Sequence, residues 1–465
     1  MNTKMECLLL MYKKQQQSTN KKKIMKKIFI TISTVFLLCS ITQAQESIYP
    51  AKAYKGKLYI TNGTVHVGNG TVLENQTIEV SNGKITAIGA NLVVPTSDPA
   101  HVFDAKGKQV YPGLILPSTD VGLKEISNGV RGSNDVQEIG DINSDVRSIT
   151  AYNTDSRVIN ILKGNGILLA SITPEGGTIS GSSSVVQFDA WNWEDAAYKM
   201  DAGIHLNMPS FIVRFGRRGG FGRGGFGGGE APDPTKIALD KTEEIKSFFR
   251  QAKAYLQESV HTNTNLKLAA VKGLFDKKQK LFVHADQVKQ MLVAIDFVKE
   301  FGFDVVIVGG SESYQIADLL KASNIAVILG EQHALPATED DDIDQPFKTP
   351  AALQKAGVLF ALNDASDNTR YRNLSYNAGT AVAYGLTKEE ALSAITLNPA
   401  KILGIEDRTG TLEVGKDANI VVADGDILDM KSSTVIMAFI QGRKVSLENK
   451  QTQLYDRYQT KYGIK

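Results

Sequence analysis

The chain has 465 residues, 42% of them hydrophobic and 22% charged, with a formal net charge of +2. Those proportions describe an ordinary globular protein, and the length accommodates a domain of about 250 residues with a second one appended. The charge is set by the N-terminus: residues 1–44 carry eight lysines and one glutamate, and without them 44 basic residues face 49 acidic ones, a net of −5. A mildly acidic remainder argues against nucleic acid as a partner.

Lys26 and Lys27 precede an apolar run, residues 28–41, that ends at Thr42-Gln43-Ala44, the layout of a cleavable export signal. Residues 1–44 are therefore expected to be a signal peptide, with Met25 as the effective start and a periplasmic or secreted destination. The apolar run is shorter than the ~20 residues a spanning helix needs, so no stable membrane span is expected. Cys7 and Cys39 are the only cysteines and both fall in this segment. Its removal leaves no disulfide framework and no thiol chemistry.

From residue 57 to 92 apolar and polar residues alternate, punctuated by Asn62-Gly63, Asn69-Gly70 and Asn82-Gly83, which predicts β-hairpins. A second β-rich run spans 410–445. Neither run can bury a face alone, so residues 45–110 and 405–450 are expected to form one small β-sandwich around an inserted domain at 111–404, with 451–465 as a tail. Within the insert, apolar runs at 281–284, 304–308, 325–329 and 358–362 alternate with helical patterns such as Val288, Met291, Leu292, Ile295 and Val298. That alternation predicts a parallel α/β sheet. Earlier strands are expected at 167–172, 185–188 and 204–206. Residues 214–230, rich in Gly, Arg and Phe, cannot pack a core and read as a flexible loop.

The insert opens on Pro112-Gly113-Leu114-Ile115-Leu116-Pro117-Ser118-Thr119-Asp120. An apolar run that follows a Pro-Gly turn and stops abruptly in polar residues is how a buried parallel strand reaches a site, and alternation aims Ser118 and Asp120 the same way. Together with Gly415-Lys416-Asp417-Ala418-Asn419 and the run 385–404, this stretch resembles the amidohydrolase superfamily, in particular its imidazolonepropionase-like branch. There, Pro-Gly-[Leu/Phe]-Ile-Asp-x-His-x-His closes the first strand of the barrel. The resemblance covers nearly all of the chain after residue 44 and implies an α/β fold, a (β/α)8 TIM barrel with a small β-sandwich made from both terminal segments.

The resemblance also implies one or two divalent metals at the carboxyl ends of the barrel strands, activating a water. Carried over by position, Leu116, Ser118 and Asp120 stand where the family has Asp, His and His. His284 matches the fifth-strand histidine, Gly309 stands in place of the sixth-strand histidine, and Asp364 matches the last-strand aspartate, with Asn363 as the alternative register. Glycine has no donor atom and a serine hydroxyl is a poor zinc ligand. The expectation is therefore at most one divalent ion, zinc or manganese, on Asp120 and His284, with Asp364 as the proton-accepting catalytic residue, or no ion at all. His284 reads equally as a core histidine on a backbone carbonyl, and Asp364 as a helix cap or a partner of Arg370 or Arg372.

On the substrate side, Glu312 lies in Gly309-Gly310-Ser311-Glu312-Ser313, where free backbone N–H groups between a strand and a helix suit an anion, or where a serine caps the helix. Trp191 and Trp193 could wall a sugar or peptide pocket or pack on the barrel rim. Asp135, Glu138, Asp141 and Asp145 could attract a cationic group or form a solvated loop. The expected function is an exported hydrolase of non-peptide, cyclic amide C–N bonds with a reduced or lost metal site, acting on a small-molecule or peptide-like ligand. The competing expectation is an inactive binding or partner protein, perhaps paired with a related amidohydrolase subunit, because fold does not confer activity.

Overall fold

The computed structural model describes residues 49–95, 101–125, 134–212, 233–336, 340–364 and 370–464. The export signal and the Gly/Arg-rich stretch at 214–230 lie outside the described residues. The chain first lays down β1 (Lys57–His66), β2 (Val72–Ser81), β3 (Lys84–Gly89), β4 (Val102–Asp104) and β5 (Gln109–Pro112). There follow β6 (Leu114–Thr119), β7 (Ile167–Ile172), β8 (Ile179–Gln187), β9 (Ala197–Asn207) and β10 (Lys280–Ala285). Then come β11 (Val305–Gly309), β12 (Ala326–Leu329) and β13 (Phe360–Leu362). The last strands are β14 (Ile420–Asp424), β15 (Thr434–Ile440) and β16 (Arg443–Lys444).

Strands β6 to β13 lie side by side in chain order in one 8-stranded sheet, the wall of a nearly closed barrel. Their sequences read as apolar runs rather than alternating ones because both faces are covered: β7 is buried along its whole length, as are Leu281, Phe282 and Val283 of β10. The expected barrel is thus present, with one departure. Strand β8 runs antiparallel to both of its neighbours. Only residues 173–178 separate β7 from β8, and only 188–196 separate β8 from β9, whereas a parallel crossover needs a dozen or more residues. The expected run at 185–188 is the end of this longer strand, whose Ser180-Gly181-Ser182-Ser183-Ser184 start carries no apolar signal.

Among the described residues no strand pairing joins β13 to β6. Instead the turn between the helices Lys388–Ser393 and Leu397–Leu403 enters the gap, with Ile115 N donating to Ile395 O at 3.0 Å and Leu362 N to Ala394 O at 2.9 Å. Asn363 Nδ2 completes the seam by donating to Ser118 O at 2.9 Å.

The remaining strands form the second sheet, in the order β16-β15-β14-β5-β1-β2-β3 with β4 beside β1. The two ends of the chain meet where β14 pairs antiparallel with β5, Ile420 opposite Pro112. This sheet has its own core, including Ile60, Ile78, Val110, Ile420 and Phe439. The motif at 415–419 is explained by Asp417, which accepts from Tyr198 Oη at 2.6 Å, Lys84 Nζ at 2.9 Å and Arg408 Nη2 at 2.9 Å. It thereby joins the sheet to β9 of the barrel. Residues expected as a tail form the helix Lys450–Tyr462.

Candidate active site

The carboxyl ends of β9 to β13 enclose a cavity of about 430 Å³. Its wall carries Asn207 and Met208 after β9, His284 and Asp286 at the end of β10, Gly309 of β11 and Asn363 after β13. This is the end of a barrel at which parallel strands deliver side chains from many loops to one point.

His284 Nε2 lies 2.9 Å from Nδ1 of His205, whose ring stacks on Phe282 with centroids 4.9 Å apart. The registers Phe282 to His205 and His284 to Asn207 put these rings on the barrel interior. His205 is 2% exposed and its Nε2 has no partner. An orphaned N–H is the rarer and costlier arrangement in a protein interior, so the proton belongs on His205 Nδ1, donated to His284 Nε2. That places the His284 proton on Nδ1, the nitrogen left to face the cavity. Burial pushes His284 down to about 4, and burial together with His284 pushes His205 well below the ordinary imidazole value, so both rings are neutral.

The loops around this pair are pinned by side chains rather than by regular structure. Gln290 Oε1 accepts from the amides of Asp286 and Gln287 at 3.0 Å, while its Nε2 donates to Met208 O and Pro209 O at 3.1 Å. Glu312 Oε2 accepts from Val288 N at 2.7 Å, the first amide of the helix Val288–Phe301, which has no intrahelical acceptor. Glu312 is therefore a loop fastener outside the cavity wall.

The remaining sequence-derived residues are placed elsewhere. Asp120 is buried, accepts from Tyr371 Oη at 2.6 Å and lies 3.6 Å from Lys124 Nζ. Ser118 Oγ pairs with Thr173 Oγ1 at 3.3 Å. Asp364 is fully buried with Asn377 Nδ2 donating to Oδ2 at 3.2 Å, and it is Asn363 that reaches the cavity. Trp191 and Trp193 follow β8, and because that strand runs backwards they sit at the opposite end of the barrel from the mouth. Trp191 is 64% exposed there, and Trp193 starts the short helix Trp193–Ala196. Asp141 is tied to Lys241 at 2.8 Å and to Thr178 Oγ1 at 2.7 Å, as a loop residue would be.

Sequence reasoning missed two participants. Asp286, two residues past His284 at a strand end, carried a readable signal. Tyr371 did not, because only the barrel closure brings it to Asp120. His205 could be read as ending a strand near the site or as a core residue, and the sheet register is what pairs it with His284.

Residues 241–445 match the Amidohydrolase family. The imidazolonepropionase of Thermoplasma volcanium is 24% identical over 375 residues, covering 76% of this chain and 85% of the relative. That of Deinococcus radiodurans is 25% identical over 375 residues, covering 77% and 88%. Over most of its length the chain is similar to the imidazolonepropionase-like branch of the amidohydrolase superfamily. A solved amidohydrolase from Thermotoga maritima superposes with a TM-score of 0.71 at 27% identity, over 84% of this chain and 99% of that one.

Amidohydrolases usually bind a divalent metal, and the donor set among the described residues does not fit one. Among the described residues no three side chains of His, Cys, Asp and Glu are placed to share an ion, so Asp120, His284 and Asp364 do not form one ligand group. Gly309 shows why the sixth-strand position is closed to a histidine. Its φ is +104°, and a Cβ there would lie 2.6 Å from Asp286 Oδ1 and 3.2 Å from Ala285 O. The carboxylate of Asp286 occupies the space such a ligand would need.

Proposed function

We propose that this protein is an exported hydrolase of non-peptide C–N bonds in small cyclic amides, working at the barrel mouth with a metal site reduced or lost. The observation that carries the reading is the cavity at the carboxyl ends of β9 to β13, where neutral His284 offers an N–H to an amide carbonyl. Similarity to the imidazolonepropionase-like branch supports the reaction class. Asp364, buried one residue beyond the cavity wall, is assigned the proton-accepting role through an intervening water.

A second reading, a binding protein without turnover, is favoured by a specific observation. The side chains at the ligand positions are engaged with neighbours: Asp120 with Tyr371, His284 with His205, Asp364 with Asn377. The test is a panel of hydantoins, imidazolones and lactams offered to the purified protein with EDTA, zinc or manganese. Hydrolysis that falls at least about 100-fold in Asp364→Asn supports the first reading. Absence of turnover across the panel under every condition removes it and leaves the binding reading.

A further inference from the structure

The cavity wall presents hydrogen-bond acceptors that nothing in the protein uses. The Asp286 carboxylate has no hydrogen bond and no ion pair among the described residues, although its backbone N–H and carbonyl are both committed. Asn363 is 1% exposed, its Nδ2 is spent on Ser118 O, and its Oδ1 is a buried acceptor with no partner. Asn207 likewise spends its Nδ2 on Gly177 O at 2.8 Å and Ser180 Oγ at 3.0 Å, which turns its oxygen into the remaining free function. Against these stand two side-chain donors on the wall, the imidazole of His284 and the amide of Gln287.

Charge points the same way. Among the described residues no lysine or arginine lines the cavity, and Asp286 is the one formally charged side chain on its wall. The nearby cations are held by other acids: Lys124 lies at Asp120, and Arg370 pairs with Glu331. An anionic ligand would meet an unneutralised carboxylate and no counter-charge. A ligand bearing N–H groups and a positive charge would satisfy Asp286 by a charge-assisted pair and Asn363 Oδ1 by a donor, removing the cost of leaving a buried acceptor unpaired.

We propose that the barrel mouth binds a small organic cation rich in N–H groups, an amidine, guanidine or amine, through Asp286 and Asn363, with His284 donating to an acceptor on the same molecule. The glycine at position 309 belongs to this device. It leaves room for the Asp286 carboxylate, 2.6 Å from where a Cβ would stand. The inference rests on the mouth being the ligand site, but not on the ligand being hydrolysed there.

The test uses three probes of one shape and different charge, benzamidine, benzamide and benzoate, titrated calorimetrically into the full-length mature protein in EDTA. The expected order is benzamidine tightest, benzamide at least about 10-fold weaker, and benzoate without measurable binding. Asp286→Asn, which keeps shape and removes charge, should weaken benzamidine at least about 10-fold and leave benzamide within about twofold. Asn363→Leu, checked for unchanged thermal unfolding, should weaken both. Benzoate binding as well as benzamidine, an unchanged benzamidine affinity in Asp286→Asn, or no binding of any probe overturns the proposal. Benzamidine binding with no turnover in the cyclic amide panel would sink only the hydrolase reading. Turnover that benzamidine fails to inhibit would sink only this one.

Discussion

Gly309 is the residue on which the metal question turns. Its backbone lies in the left-handed region, and the atoms a side chain would strike are a carboxylate and a main-chain oxygen. Gly309→His should therefore destabilise the fold by about 1–3 kcal/mol, the usual cost of forcing a side chain into such a position. It should also fail to create a zinc site. Urea midpoints and metal analysis after desalting check both; a variant as stable as the parent that retains one zinc per chain would refute the steric argument. The same reasoning explains the neutrality of His205 and His284. Burial disfavours the charged form of both rings, and the neighbouring His284 disfavours it further on His205.

At the level of elements, the β-sandwich is fastened to the barrel by side chains from single strands. His66 at the end of β1 stacks on Tyr111 and holds Glu389 of the helix Lys388–Ser393 at 2.7 Å and Gln109 Oε1 at 2.8 Å. Burial works against charge on His66, but Glu389 and Gln109 outweigh it, so its pKa lies above the ordinary imidazole value. A raised pKa in the folded state means the interaction is at full strength below about pH 6.5 and is lost as pH rises through the folded value. His66→Gln should therefore cost about 1 kcal/mol at pH 6 and less at pH 8. Urea unfolding of parent and variant at the two values reads this directly. A deficit that stays constant or grows with pH would contradict it.

The whole molecule is held together by a second junction, buried more deeply. Asp189, just after β8, accepts from Ala51 N at 3.0 Å and pairs with Arg443 of β16 at 3.1 Å and Lys163 at 3.9 Å. Asp189 and Lys163 are nearly inaccessible, and burial pulls Lys163 below the ordinary lysine pKa. One carboxylate thus ties the first described residues and the last strand to the barrel. Asp189→Asn leaves buried Lys163 and partly buried Arg443 without their counter-charge and should cost about 3–5 kcal/mol, seen as a fall in thermal midpoint. A loss below about 1 kcal/mol would mean that water reaches the cluster.

Much of this architecture was legible in the residue order. Alternation and Asn-Gly turns announced the hairpins, apolar runs spaced by helical patterns announced the barrel, and the stop at Ser118 and Asp120 marked the correct end of its first strand. These signals are local: burial on one or both faces and turn conformation are imposed on each short stretch by its own composition. The reversed β8 was less visible, because serines hide a strand that is buried by its neighbours. What only the tertiary structure decided is which atoms meet. His205 finds His284 through sheet register, Tyr371 finds Asp120 across 251 positions of chain, and Asn363 rather than Asp364 faces the cavity because the seam with β6 sets its rotation. Such contacts depend on how distant segments are aligned by packing, and no stretch of sequence carries that information by itself.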